Sequence, residues 1–441
     1  MLIESTGVES ALQPAAGTVT VALLRPDGRL DPSGETVYRQ IARLLVDAYP
    51  IMGIDGAAAW EDFVERLTAR AHEEGTAWAV ARRDGEIVGV MHLYDYVMNL
   101  RGSDVTAGGV GSVAVSLLHK RQGIARTMIA WYLQAYRERG ATMAVLHPFR
   151  PDFYRSLGFG YGTPTHRYRL QPAAIRADGA AGTIRLLEGA DAEAVFACCE
   201  RVRAHTNGLI RKHPATLARA MSDGATRWIG VEDGGTLRAF MQTSAVLGAA
   251  GTTNANELIV RDFNAEDEAS GAALFGYLRA QRGQFTRIVF ETQDDAFYLN
   301  ADDPRDAGDV IVAPPAVHRV AETGLGMMYR ILDLERALAQ LGPAAQRFVL
   351  RIECEDALFP PTGGAHSFVF GPSAPPLADD AARPDATLRI GIADLSSLVA
   401  GSLHLGDLLR HRLASIVPAG AAEQAARLLD AASRPVCNAR F

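Results

Sequence analysis

A turn rich in basic residues joins a predicted strand to a predicted helix, and its residues could bind an anion. Lys120, Arg121 and Arg126 supply positive charge, and Gly123 lets the backbone come close to a ligand. The first N–H groups of a helix have no partner within it, and with the positive end of the helix dipole they attract phosphate groups. The turn has neither the spacing of a Walker loop nor the glycines of a dinucleotide-binding fingerprint. We interpret it as a pyrophosphate site, with a solvated basic turn that caps a helix as the alternative.

Three further side chains could exchange a proton. Tyr154 lies in a predicted short helix over 152–156, His92 within a predicted strand, and His147 at the end of another strand. A phenol can donate a proton or pack as an apolar ring, and imidazoles are frequent general bases at neutral pH. The residues alone leave a structural role open for all three.

Predicted elements of both types surround these residues. Apolar residues at helical spacing predict a helix over 35–48, and Asp84-Gly85 between two apolar runs predicts a hairpin. Further strands and helices follow, the last strand of this region covering 161–170. After a linker rich in Ala, Gly and Pro a similar order repeats, and a third region contains a strand at 327–331 and three helices between 392 and 432. We therefore predict an α/β (α+β) chain with domains over 1–175, 176–323 and 324–441, the second being a degenerate copy of the first.

Composition and charge narrow the class of protein. The chain has 441 residues and a formal net charge of −7, which argues against a nucleic-acid partner because such proteins usually present a basic face. Its four cysteines have the spacing of neither a zinc site nor a disulfide framework, and we predict no metal site. The amino terminus does not resemble a signal peptide and no long apolar run is present. We therefore expect a cytoplasmic protein without a membrane partner.

Two segments resemble the GNAT acetyltransferases. Lys120-x-x-Gly123-x-Ala125 resembles the family pattern Arg/Gln-x-x-Gly-x-Gly/Ala, with Lys120 as a departure, and the segment over 153–160 resembles Phe-Tyr-x-x-x-Gly-Phe. The resemblance implies acetyl-CoA as co-substrate. It implies that the pantetheine arm pairs with the backbone of Val113, Ala114 and Val115, that the pyrophosphate sits on the backbone of Arg121, Gln122, Gly123, Ile124, Ala125 and Arg126, and that Phe149 and Arg150 contact the cofactor.

The three-part layout is similar to that of the Eis (enhanced intracellular survival) acetyltransferases, which have tandem GNAT folds followed by a sterol-carrier-like α+β domain. The likeness rests on sequence motifs in the first domain and on the layout of the domains in the other two. It implies direct attack of a primary amine on the thioester, with Tyr154 as general acid and the N–H of Val115 as oxyanion donor. The carboxylate of the terminal residue, Phe441, is implied as general base. Family members form oligomers, often hexamers, so a homo-oligomer is expected.

The resemblance leaves the acceptor open. Arg440 stands where aminoglycoside-acetylating members carry an acidic residue. The segment 49–53 also lacks the acidic residue expected near the acceptor pocket, although Trp60 matches an aromatic residue of that pocket. The residues therefore do not favour an aminoglycoside over a smaller amine or lysine. In the second copy the segment 261–268 is acidic and would repel a pyrophosphate, so we expect a non-catalytic scaffold there. The alternative function is a non-catalytic acyl-CoA or lipid-binding protein that uses the sterol-carrier-like domain.

Overall fold

The computed structural model describes residues 17–24, 37–70, 73–179, 181–248, 256–307, 318–360, 362–372 and 375–439. The strands are β1 (Val19–Leu23), β2 (Thr76–Arg83), β3 (Glu86–Leu100), β4 (Ser103–Val115), β5 (Met143–Leu146), β6 (Gly160–Tyr161), β7 (Thr165–Leu170), β8 (Thr183–Leu187), β9 (Arg227–Asp233), β10 (Thr236–Val246), β11 (Glu257–Ala265), β12 (Arg287–Thr292), β13 (Ala321–Gly324), β14 (Met328–Ile331), β15 (Phe348–Glu355), β16 (Gly364–Phe370), β17 (Leu377–Ala378), β18 (Ala386–Gly391) and β19 (Ala414–Val417). The helices are α1 (Val37–Ala48), α2 (Ala57–Arg70), α3 (Ile124–Glu138), α4 (Pro151–Arg155), α5 (Ala192–His205), α6 (Pro214–Ser222), α7 (Glu268–Ala280), α8 (Leu334–Leu338), α9 (Ile392–Ala400), α10 (Leu405–Arg410) and α11 (Ala422–Leu429).

The first sheet has the order β1-β2-β3-β4-β5-β14-β6 and carries the basic turn at the end of β4. Asp84 and Gly85 both have positive φ, 50° and 87°, between β2 and β3, which confirms the predicted hairpin. β4 is antiparallel to β3 and parallel to β5, and α3 forms the connection from β4 to β5. Met128 and Tyr132 of α3 are fully buried against this sheet, so the amino end of α3 is held next to the end of β4.

The second sheet has the order β13-β7-β12-β11-β10-β9-β8. Its central strands repeat the arrangement of the first sheet, because β10 is antiparallel to β11, β11 is parallel to β12, and α7 connects β11 to β12. This order of elements is the repeat that the sequence predicts.

The first two sheets exchange strands. β14 follows the second sheet in the chain but lies between β5 and β6 of the first sheet, whereas β7 lies between β12 and β13 of the second. The predicted single strand over 161–170 is wrong, because the chain leaves the first sheet at 162–164, where Pro164 has no N–H to extend a ladder. The sheets therefore do not follow the predicted limits at 175 and 323.

The carboxyl-terminal part forms the third sheet, in the order β17-β16-β15-β18-β19. Its helices α9, α10 and α11 confirm the three helices predicted between 392 and 432. Helix α9 packs against β14 and β6, and one buried cluster contains Met143 of β5, Tyr329 of β14 and Leu395 of α9. The first sheet and the carboxyl-terminal part therefore share a core.

Candidate active site

Strands β4 and β5 diverge next to the predicted anion-binding turn. In the described structure they pair over Ala107–Val110 and Met143–Leu146, and β4 then continues while β5 ends. A shift in register beside Ser112, whose φ is 49°, bends β4 where the divergence begins. The result is an open wedge whose β4 side is formed by Val113, Ala114 and Val115, the residues predicted to pair with a pantetheine arm.

The basic turn leaves its backbone donors open. Arg121 and Gly123 have positive φ values of 61° and 80°, and Gly123 directly precedes the first residue of α3. Within the residues that the structure describes, no backbone N–H from 120 to 126 donates a hydrogen bond to a protein acceptor. The side chains of Lys120, Arg121 and Arg126 are exposed. The turn thus offers free N–H groups, the positive end of α3 and three cations, which together can hold a phosphate group.

Other residues of the turn are fixed by the protein. Gln122 accepts a hydrogen bond from Arg83 and donates one to the carbonyl of Leu118 at 3.4 Å. Ile124 is buried and Ala125 half-buried. Arg126 Nη1 lies 3.4 Å from the hydroxyl of Ser156. Since Ser156 follows α4 directly, this contact brings the amino end of α3 beside the helix that carries Tyr154.

Tyr154 lies in α4 with 6% of its surface exposed. Its ring packs edge-to-face against Phe153 and Phe159, with centroids 5.1 and 6.0 Å away. Its hydroxyl has no hydrogen-bond partner among the described residues, so it is available to a ligand. Burial, with a smaller contribution from Tyr49, raises the pKa of Tyr154 above its usual value, and the phenol is therefore protonated at neutral pH.

Tyr49, which belongs to none of the motifs found in the sequence, spans the wedge. Its hydroxyl donates a hydrogen bond to the carbonyl of Val113 at 2.8 Å, and its ring meets that of Phe149 edge-on at 6.4 Å. Burial raises the pKa of this phenol too. An aromatic residue just before Pro50, at the end of α1, is the one local signal that could have drawn attention to it.

Several apolar side chains around the wedge are exposed. Phe149 is 78% exposed, Ile51 95% and Leu118 86%. Arg150 also faces solvent, where its Nη2 pairs with Asp152 at 2.5 Å. Phe149 and Arg150, predicted to contact the cofactor, are therefore exposed beside the wedge.

The two candidate histidines occupy different surroundings. His92 is 1% exposed, its ring stacks on Trp78 at 4.2 Å, and neither ring nitrogen has a hydrogen-bond partner among the described residues. Burial, and to a smaller degree Arg70, lowers the pKa of His92 to about 3. A base that binds protons so weakly is poorly matched to neutral pH, so His92 is a core residue. His147 is exposed just after β5, and Trp60 is half-buried in α2.

The predicted base Phe441, and Arg440 before it, lie outside the described residues. The described tail runs along the first two sheets. The carbonyl of Pro435 accepts a hydrogen bond from Thr163 at 2.6 Å, and the N–H of Val436 donates to the carbonyl of Asn207 at 2.8 Å. Cys437 N–H donates to Gln293 at 2.6 Å. The tail is therefore bound to the protein up to a few residues before its end.

Beyond Cys437 the tail stays next to the first sheet. Asn438 accepts a hydrogen bond from the N–H of Ile210 at 3.0 Å, and Cys437 and Ala439 pack against the cluster that contains Tyr329. Tyr96 of β3 packs against the same cluster and stacks on Tyr94, which in turn contacts His92 at 4.5 Å. The described end of the tail thus lies on the same face of β3 as a row of aromatic rings.

Among the described residues, no group of three or more His, Cys, Asp or Glu side chains is placed to hold a metal ion. No helix in the described ranges is long and apolar enough to cross a membrane.

Known proteins are similar to parts of this chain. Residues 30–162 match the model of the acetyltransferase (GNAT) domain family. Over 146 residues the chain is 34% identical to an uncharacterized N-acetyltransferase of Streptomyces coelicolor, covering 32% of this chain and 34% of the relative. Over 182 residues it is 30% identical to the N-acetyltransferase Eis of Mycobacterium bovis, covering 37% and 45%. The chain thus spans less than half the length of these two curated relatives.

One solved structure extends the similarity to the whole fold. Eis1 of Mycobacterium abscessus superimposes with a TM-score of 0.73 over 96% of this chain and 100% of its own, at 21% identity. This likeness and the two repeated sheets confirm the predicted tandem GNAT architecture, whereas the sterol-carrier-like assignment of the third region stays a prediction. The chain therefore contains an acetyltransferase (GNAT) domain over residues 30–162, and its sequence and fold resemble those of the Eis N-acetyltransferases.

Proposed function

We propose that the chain is an acetyl-CoA-dependent N-acetyltransferase that transfers an acetyl group to a primary amine by direct attack. The observation that carries the proposal is the wedge between β4 and β5, with the open N–H groups of α3 at one end and the phenol of Tyr154 beside it. A thioester whose pyrophosphate lies on the turn over 120–126 would extend its pantetheine arm along Val113 to Val115. Its sulfur would then lie near α4.

The chemistry assigned to each group follows from its surroundings. The amine attacks the thioester carbon, and the N–H of Val115 donates to the oxygen that becomes negative. When the intermediate collapses, the carbon–sulfur bond breaks and the thiolate receives a proton from Tyr154. The raised pKa of Tyr154 keeps that proton in place at neutral pH. Because a thiol has a pKa of only about 8.5, the transfer to the thiolate is uphill unless the site stabilises the phenolate.

We assign the general base to the carboxylate of Phe441. The course of the tail supports this, since residues 435–438 are held by hydrogen bonds beside the first sheet. A free carboxylate is a weak base, so removal of the amine's proton requires burial or a relay through water. His92 is the poorer choice because it is buried, 1% exposed, with its ring stacked on Trp78.

We assign no acetyl-CoA site to the second domain, which we regard as a scaffold. β11 and β12 pair over Glu257–Val260 and Arg287–Phe290 and then diverge, as β4 and β5 do. The amino end of α7, however, is capped by Asp267, whose carboxylate accepts a hydrogen bond from the N–H of Ser270 at 2.8 Å. A negative charge thus already occupies the place that a phosphate would need.

Thiol release from acetyl-CoA in the presence of a panel of amines tests the proposal. Tyr154→Phe should lower kcat/KM about 100-fold, within the range for loss of a general acid. Tyr298→Phe is the matched control, because Tyr298 follows Phe297 after β12 as Tyr154 follows Phe153 after β5. One alanine added after Phe441 would move the carboxylate by about 3.8 Å and should abolish activity. Full activity of the extended chain would remove the terminal carboxylate from the mechanism.

A non-catalytic acyl-CoA or lipid-binding protein is the second candidate. A groove of about 570 Å³ in the third region supports it, with Leu409, Leu413 and Ile416 in its wall and Arg389 and Arg412 beside them. This function needs neither Tyr154 nor a fixed terminus. Acetyl-CoA binding without thiol release for any amine would favour it.

A further inference from the structure

Helix α4 is bound to the carboxyl-terminal part of the chain through the residue that follows Tyr154. Arg155 Nη2 donates to both carboxylate oxygens of Asp394, at 2.7 and 2.9 Å. Asp394 lies in the first turn of α9, and its side chain is 9% exposed. The pair joins two segments 239 residues apart and is largely shielded from solvent. It therefore connects the third region directly to the candidate active site.

The surroundings of this ion pair fix its position. The guanidinium of Arg155 lies over the ring of Tyr161 at 5.0 Å. The carbonyl of Tyr161 accepts hydrogen bonds from Ser397 at 2.8 Å and from Ser402 at 2.6 Å. Arg155 is thus enclosed by groups that α9 and the turn after it hold in place.

The turn after α4 rests on a second ion pair from the later part of the chain. The carbonyl of Tyr154 accepts hydrogen bonds from the N–H groups of Leu157 and Phe159, at 2.9 and 3.2 Å. Between these two residues, Gly158 lies against Arg330, and a Cβ added there would be 1.4 Å from Arg330 Nη1. Arg330 is fully buried and pairs with Asp356 at 2.8 Å. The position of the Tyr154 backbone therefore depends on side chains beyond residue 327.

A five-residue helix cannot hold its own position, because isolated helices of this length are unstable in water. Misplacement of a reacting group by about 1 Å can cost about 100-fold in rate. The contacts around Arg155 therefore matter for the placement of the phenol as well as for stability.

We propose that Asp394 is a positioning residue for Tyr154, so that the third region sets the place of the phenol relative to the cofactor's sulfur. The proposal rests on the proposed function, in which Tyr154 protonates the thiolate. Asp394 holds Arg155 and through it α4. In the described structure the turn over 120–126, where we place the cofactor's pyrophosphate, makes no hydrogen bond or ion pair with Asp394.

The test compares Asp394→Asn with Glu353→Gln in the full chain. Glu353 belongs to the same third region and accepts a hydrogen bond from the exposed Arg389 at 2.6 Å, so both variants turn a carboxylate paired with arginine into an amide. Asp394→Asn should lower kcat at least about tenfold with the Kd for acetyl-CoA unchanged, and Glu353→Gln should change neither. In a Tyr154→Phe background Asp394→Asn should have no further effect on kcat, because it acts through that phenol.

The NMR signal of Tyr154 gives a readout that does not require catalytic turnover. In the chain labelled with ¹³C at the phenol carbon of tyrosine, the Tyr154 resonance is the one lost in Tyr154→Phe, and Asp394→Asn should shift or broaden it. An unchanged Tyr154 resonance in Asp394→Asn overturns the proposal, whether or not the wild-type chain is active. Inactivity of the wild-type chain with every amine would instead refute the proposed function. Equal losses of kcat in the parent and Tyr154→Phe backgrounds would also overturn it.

Discussion

Gly123 provides the sharpest test of the proposed phosphate site in the turn over 120–126. Its φ is 80°, it directly precedes α3, and a Cβ added to it would meet no protein atom within 4 Å. Gly123→Ala therefore places a methyl group into open space where we expect the pyrophosphate. The substitution strains the backbone but creates no clash inside the protein.

The structure separates the two consequences of Gly123→Ala. An alanine held at positive φ costs about 1–2 kcal/mol, which lowers the free energy of unfolding by that amount. The methyl group should also remove at least one hydrogen bond from an N–H to a charged phosphate, a loss of about 1.5–3 kcal/mol. The Kd for acetyl-CoA should therefore rise about 10- to 150-fold.

Gly85→Ala is the matched control. Gly85 has a φ of 87°, and a Cβ added to it also meets nothing within 4 Å, but it lies in the hairpin between β2 and β3. Calorimetric titration with acetyl-CoA at fixed ionic strength and thermal unfolding should show equal destabilisation in both variants and weaker binding in Gly123→Ala alone. Parent-like binding by Gly123→Ala would refute the assignment of the turn, since its backbone could not then be the phosphate site.

Two further predictions concern the core and the strand exchange. The pKa of His92 is lowered from 6.5 to about 3, so between these pH values the unfolded chain binds a proton that the folded chain does not. The contribution of His92 to the free energy of unfolding is therefore fully present above pH 6.5 and is lost as the pH falls towards 3. The loss at pH 5 should be about 2 kcal/mol, and urea unfolding of His92→Phe should show a smaller acid loss than the parent; equal losses would contradict this account. A fragment over 1–175 lacks β14, which lies between β5 and β6, so it should show no native near-ultraviolet circular dichroism and no binding of acetyl-CoA. Parent-like affinity of the fragment would show that the first sheet does not need the exchanged strand.

Local features of the site are predictable because they depend on neighbours in sequence. The hairpin at Asp84-Gly85 and the start of a helix just after Gly123 follow from backbone preferences that act over a few residues. The short helix around Tyr154 begins at Pro151, a residue whose fixed φ suits the first turn of a helix. These features place the open N–H groups and the phenol at the ends of their elements without any knowledge of the fold.

The partners of these features are not predictable from local sequence. The hydrogen bond from Tyr49 to Val113 joins residues 64 positions apart, and the pair of Arg155 with Asp394 joins residues 239 apart. The four residues of β14 could extend either sheet, since strand propensity does not specify a partner. Packing against α9 and the buried pair of Arg330 with Asp356 place β14 in the first sheet.

The sequence by itself predicts an anion site at the basic turn, where residue types and the start of a helix favour phosphate binding. It also predicts that the order of elements occurs twice and that the segment 261–268 of the second copy is acidic. Only the tertiary structure decided that the first sheet is completed by β14 and that α4 is held by the third region. The physical reason is that dihedral preferences act over a few residues, whereas burial and ion pairing depend on which distant segments pack together.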